Sequence, residues 1–96
     1  MKASPVDLYK LARCLRENPG LKNGRQLHTH GMVRYHVQDV GYHRIDGPSV
    51  IWVNENTPCR YYLHGFRLSY RQWLDVLCET DVERTLMILR TSHLNR

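Results

Sequence analysis

Apolar and polar positions change period along the chain, from helix-like to strand-like and back. Leu8, Leu11, Ala12 and Leu15 fall on one helical face at i, i+3, i+4 and i+7. Ser4 is placed as N-cap, Pro5 at N1 and Asp7 at N3, and Asn18-Pro19-Gly20 stops the pattern, which predicts a helix over 5–18. After the turn signal Lys22-Asn23-Gly24, Gln26 to His30 reads as a strand. Met32 to Gln38 then alternates: Val33, Tyr35 and Val37 share one face, and Met32, Arg34, His36 and Gln38 the other. Period two means a half-buried strand with one wet side. Asp39-Val40-Gly41 and Asp46-Gly47-Pro48 are turn clusters, and Ser49 to Val53 is an apolar run of strand length. A loop over 54–58 separates it from Arg60 to His64, where Tyr61 and Leu63 oppose Arg60, Tyr62 and His64. Gly65 permits a tight reversal, and the hairpin feeds directly into a helix.

Helical period returns at Ser69, which with Gln72 forms a capping box ahead of the stripe Tyr70, Trp73, Leu74 and Leu77. Thr80 to Glu83 spells a second capping box, so a new helix begins there. Val82, Leu86 and Leu89 are expected to supply its buried face, with Met87 and Ile88 beside them; Thr91 to Arg96 is expected to fray. The prediction is a single α+β domain over 1–96: a small antiparallel β-meander of repeat-like hairpins over 25–68, one N-terminal helix, and two C-terminal helices over 69–79 and 81–91.

His43-Arg44, Asp46-Gly47-Pro48, Tyr61-Tyr62, Gly65, Ser69 and Trp73 occur in the order HR-x-DGP-[AS], [WY]-Y-x-[NH]-G, [ST]-x-x-x-W. That string resembles a short hairpin repeat found in uncharacterised small proteins of bacteriophages and large DNA viruses. It covers about a third of the chain, departing at His64, where Asn is usual, and in the 54–58 loop, which lacks Gly. The resemblance implies a phage or viral source and β-hairpin units, and no particular activity. Leu27 to Val33 carries a weaker echo of Tyr42 to Val50 and reads as a degenerate first unit.

Composition narrows the class. A 42% hydrophobic content rules out a disordered composition. No apolar run approaches the roughly 18 residues of a membrane span, and the Met1 to Pro5 start has no apolar leader. Cys14, Cys59 and Cys78 are odd in number and far apart, which fits reducing surroundings and the host cytoplasm better than a disulfide framework. The net charge is +5, and eleven of the fourteen basic residues are Arg, the residue suited to bidentate contact with carboxylate or phosphate. A basic surface points to nucleic acid or to an acidic protein face.

Chemistry-bearing motifs are weak. His28 and His30, with Cys59, are the nearest approach to a metal set, but no CxxC, HxxxH or HExxH spacing occurs, and no metal or cofactor is expected. Cys59 or Cys14 with a histidine, or His43-Arg44 with Asp46 as in a nuclease, are the catalytic candidates. The last three have a structural account instead, with Asp46 capping its turn and Arg44 bridging to it. Two alternating strands in register would place Arg34, His36, Arg60, Tyr62 and His64 on one open, basic, aromatic face, with Trp52, Arg67 and Tyr70 around it. Such residues anchor protein interfaces, and they also neutralise phosphate and stack bases. The expectation is a non-enzymatic phage accessory protein that binds a host or phage protein, inhibiting or redirecting a host machine such as a defence complex or the transcription apparatus. The alternative is a basic DNA- or RNA-binding protein. A homodimer through the C-terminal helices is a further expectation, from the apolar breadth of the last helix.

Overall fold

The computed structural model describes residues 10, 11, 13, 15, 17, 23–54 and 57–92. The predicted cap at Ser4, the stop at Asn18, Cys14, His93 and most of the 5–18 helix lie outside them. Lys10, Leu11, Arg13, Leu15 and Glu17 are helical.

Two His-Gly pairs set the strand architecture. β1 (Arg25–Thr29) and β2 (Met32–Val37) are joined through His30 and Gly31, at φ 48° and 75°. β5 (Tyr61–Leu63) and β6 (Phe66–Leu68) are joined through His64 and Gly65, at φ 53° and 83°. Positive φ at both central residues is the requirement of a type I′ turn, whose twist matches paired strands. The upstream echo is therefore differently aligned from the expectation. Thr29-His30-Gly31-Met32 occupies the place of Leu63-His64-Gly65-Phe66, not that of the residues after Tyr42.

β2 is central in a four-stranded antiparallel sheet. β1 flanks one edge, and β3 (Gly41–Tyr42) and β4 (Val50–Trp52) share the other. The registers are Arg25 to His36, Leu27 to Arg34, His36 to Tyr42, and Met32 to Trp52. β5 does not make a full hairpin with β4. It meets it at one bridge, Val50 to Arg60, and pairs chiefly with β6. Backbone bonds from Arg44 N–H to Tyr62 O and from Gly65 N–H to Tyr42 O carry the meander on from β3 to β5.

The His43 to Ser49 segment ties these pieces together. His43 is fully buried, and its Nδ1 accepts the His64 backbone N–H at 2.9 Å. Arg44 Nε donates to Asp46 at 2.7 Å, its other arm reaches Pro48 O, and the guanidinium lies 4.2 Å from the centre of the Tyr35 ring. A Cβ at Gly47 would lie 2.8 Å from that guanidinium carbon, so a larger residue there would push the Arg44 side chain out of its place. Ser49 Oγ donates to Tyr62 O and accepts from Tyr62 N–H. The HR-x-DGP-S signature is thus a buried clamp between the two sheets.

The core lies on the other side of β5 and β6. Leu11, Tyr61, Leu63, Leu68, Trp73 and Leu74 form it. The first C-terminal helix, Tyr70–Leu77, starts with the full capping box expected of Ser69 and Gln72. Trp73 is 0% exposed, and its Nε1 donates to Arg44 O, joining helix to clamp. The second, Asp81–Thr91, is capped by Thr80, but Glu83 accepts from Glu79 N–H rather than from the cap residue, so the second box is incomplete.

That second helix is rotated from the expected orientation. Val82, Leu86 and Leu89 are exposed, while Thr91 is fully buried and Met87 packs on the core. Polar anchors choose the face. Thr91 Oγ1 donates to Met87 O and meets the Tyr70 hydroxyl at 2.6 Å, and Arg84 pairs with Asp75. No described helix is long and apolar enough to cross a membrane.

Candidate functional site

Strand register alone assembles one face. Directly opposed residues of an antiparallel pair point the same way, and alternate residues along a strand share that side. The side carrying Arg34 and His36 therefore also carries Arg25 and Leu27 from β1, Tyr42 from β3, Trp52 from β4, Tyr62 from β5 and Arg67 from β6. Arg60 joins it through the Val50 bridge. None of the six strands contains Asp or Glu, so the charges that the strands bring to this face are all cationic. Arg25, His36, Arg60 and Arg67 are exposed; Arg34, Tyr42, Trp52 and Tyr62 are half-buried. Val50 has the same parity but is buried.

The rings form a continuous ladder. His36 meets Tyr42 edge to face at 5.8 Å, and Tyr42 meets Tyr62 likewise at 5.0 Å. On the other flank the Arg60 guanidinium stands 5.9 Å from the Trp52 ring centre, a cation–π arrangement. A shallow pocket of about 280 Å³ opens between Leu27, Arg34, His36 and Tyr42. Arg34 gives one donor to Thr29 Oγ1 at 3.1 Å, whereas its Nε is buried with no partner among the described residues; the same holds for Trp52 Nε1. Buried donors of this kind cost free energy unless something accepts them.

The structure brings together Arg34, His36, Arg60 and Tyr62, which alternation had placed on one face, and adds Trp52 and Arg67 through the pairing of β4 with β2 and of β6 with β5. Two expected members do not join them. His64 is a turn residue rather than a strand residue, and His43 holds its backbone. Tyr70 faces the core, packed on Tyr61 at 5.0 Å and Trp73 at 6.1 Å, with its hydroxyl on buried Thr91. Arg25, Leu27 and Tyr42 were not anticipated. Tyr42 was concealed because Gln38 to Val40 is a turn, which breaks the alternation that would have linked it to His36.

Of the catalytic candidates, His43, Arg44 and Asp46 are tied into the clamp. His43 is held below its ordinary value of 6.5, first by burial and then by the charge of His64, and so stays neutral. Burial pushes the Cys78 thiol up, with Glu83 adding to it, away from the reactive thiolate. Among the described residues no group of three or more His, Cys, Asp or Glu converges as a metal site would. No family model, curated protein or solved structure matches the chain.

Proposed function

We propose that this chain is a small non-catalytic binding protein that lays its arginine- and ring-bearing sheet face on an acidic surface of a larger partner. The observation that carries the proposal is the sharing of one face by Arg25, Arg34, Arg60 and Arg67 with Trp52, Tyr42 and Tyr62. Aromatic and arginine side chains sharing one face are the residue types of interface hot spots. The commitment of His43, Arg44 and Asp46 to the fold supports a role without catalysis. The resemblance of the clamp and hairpin residues to phage repeat proteins supports a phage accessory role. The partner is then a host protein or nucleoprotein machine in the host cytoplasm, such as a defence complex or the transcription apparatus, which the protein inhibits or redirects.

Direct binding of DNA or RNA is the second reading, favoured by the His36–Tyr42–Tyr62 ladder, since rings beside arginines stack bases and neutralise phosphates. Salt separates the two. Contact with several phosphates weakens steeply between about 50 and 200 mM salt. A mobility-shift assay with generic DNA and RNA should show no retention under either condition. Strong retention at low salt that disappears at the higher concentration would transfer the function to nucleic acid.

A further inference from the structure

Val82, Leu86 and Leu89 form an apolar ridge along the outer side of the last helix, 69, 58 and 71% exposed. Leu86 borders a hollow on each side of the ridge. One, of about 350 Å³, is lined with Leu77, Glu83, Met87 and Arg90. The other, of about 260 Å³, is lined with Asp81, Val82 and Thr85. A ridge beside sockets is the relief that interdigitating helices use.

The charges on this helix are polarised. Asp81 and Glu83 sit in its first turn and Arg90 in its last. Glu83 and Arg90 lie about two turns apart, hence on one flank of the ridge. Two copies running in opposite directions bring each Glu83 opposite the other copy's Arg90, twice over. Two copies running in the same direction set like charges side by side. Self-complementarity of this kind is the condition for a two-fold interface.

We propose that the occupant of the ridge is a second copy of this chain, packed antiparallel through Val82, Leu86 and Leu89 and flanked by two Glu83–Arg90 pairs. The 11-residue helix is about 16 Å long, so the contact is smaller than the roughly 800 Å² per partner of a standard interface. The dimer therefore dissociates on dilution. The ridge shares no residue with the cationic sheet face. Each dimer presents two such faces, which raises avidity for a partner with repeated acidic sites. Self-association stands independently of what the sheet face binds.

Sedimentation across a dilution series tests this, with circular dichroism to verify folding. Wild type should pass from dimer to monomer on dilution, and Leu86→Glu should be monomeric throughout. Arg90→Glu should weaken the dimer roughly tenfold, through two lost pairs and two new repulsions. The exchange Glu83→Arg with Arg90→Glu should recover it. A wild type that is monomeric at every concentration, or association unaffected by Leu86→Glu, overturns the proposal. Folded exchange protein that fails to recover overturns the antiparallel arrangement.

Discussion

Trp73→Ala is expected to lose about 4–8 kcal/mol of folding stability. Trp73 is fully buried, tilts against Tyr61 at 4.9 Å, and packs with Leu63, Leu68 and Leu74. Removing such a ring costs about 3–5 kcal/mol through lost transfer energy and the cavity left behind. The variant also withdraws the donor from Arg44 O, leaving a carbonyl of the clamp unpaired at about 1–3 kcal/mol more. A domain of this length is stable by about 5–14 kcal/mol in all, so one side chain carries a large share. Trp73→Phe, which keeps most of the volume but not the N–H, should lose much less. Denaturant unfolding measures both. Near-equal stability of Trp73→Ala and wild type would show that the helix is not seated on β5 and β6 as described.

Acidification should weaken the fold through His43, and His43→Ala should remove that sensitivity. The neutral ring accepts the His64 N–H at Nδ1. A proton arriving there would set donor against donor. Its value in the fold is depressed from 6.5 by burial, with the charge of His64 adding to the effect. The unfolded chain therefore binds the proton first. The stabilisation is complete above 6.5 and declines as pH falls from there towards the lower folded value, at up to about 1.4 kcal/mol per pH unit for one group. At pH 8 the alanine variant should be less stable by about 1–3 kcal/mol, the cost of leaving the His64 N–H without its acceptor. The gap between variant and wild type should narrow between pH 6.5 and 5. A constant gap across that range would contradict the neutral role of His43.

Local patterns were legible where the backbone alone decides them. The alternation of Met32 to Gln38 and of Arg60 to His64 required two strands, of which the second buries one side while the first, apart from exposed His36, is half-buried on both, and Ser69 with Gln72 required the cap that is seen. The α+β order followed from these. The last helix misled because periodicity counts apolar side chains, whereas its inward face is fixed by Thr91, a polar residue that burial permits only because it is bonded to Met87 O and Tyr70. Tyr70 was drawn to the binding face by its sequence position beside Arg67. In the fold one residue of helix start separates opposite sides of the molecule. His43 was recognisable as part of a signature, but its acceptor role depends on a residue twenty-one positions away, which no local pattern reports.

The central claim is that the cationic, ring-bearing side of the sheet does the gripping. Arg60 and Arg67 are both exposed and lie on that side, away from the core. The most direct measurement compares capture from host lysate by wild type and by the doubly reversed Arg60→Glu, Arg67→Glu protein, with melting temperatures determined alongside. Wild type should retain a defined partner that the reversed protein does not, at nearly unchanged melting temperature. Equal retention by both folded proteins would contradict the account.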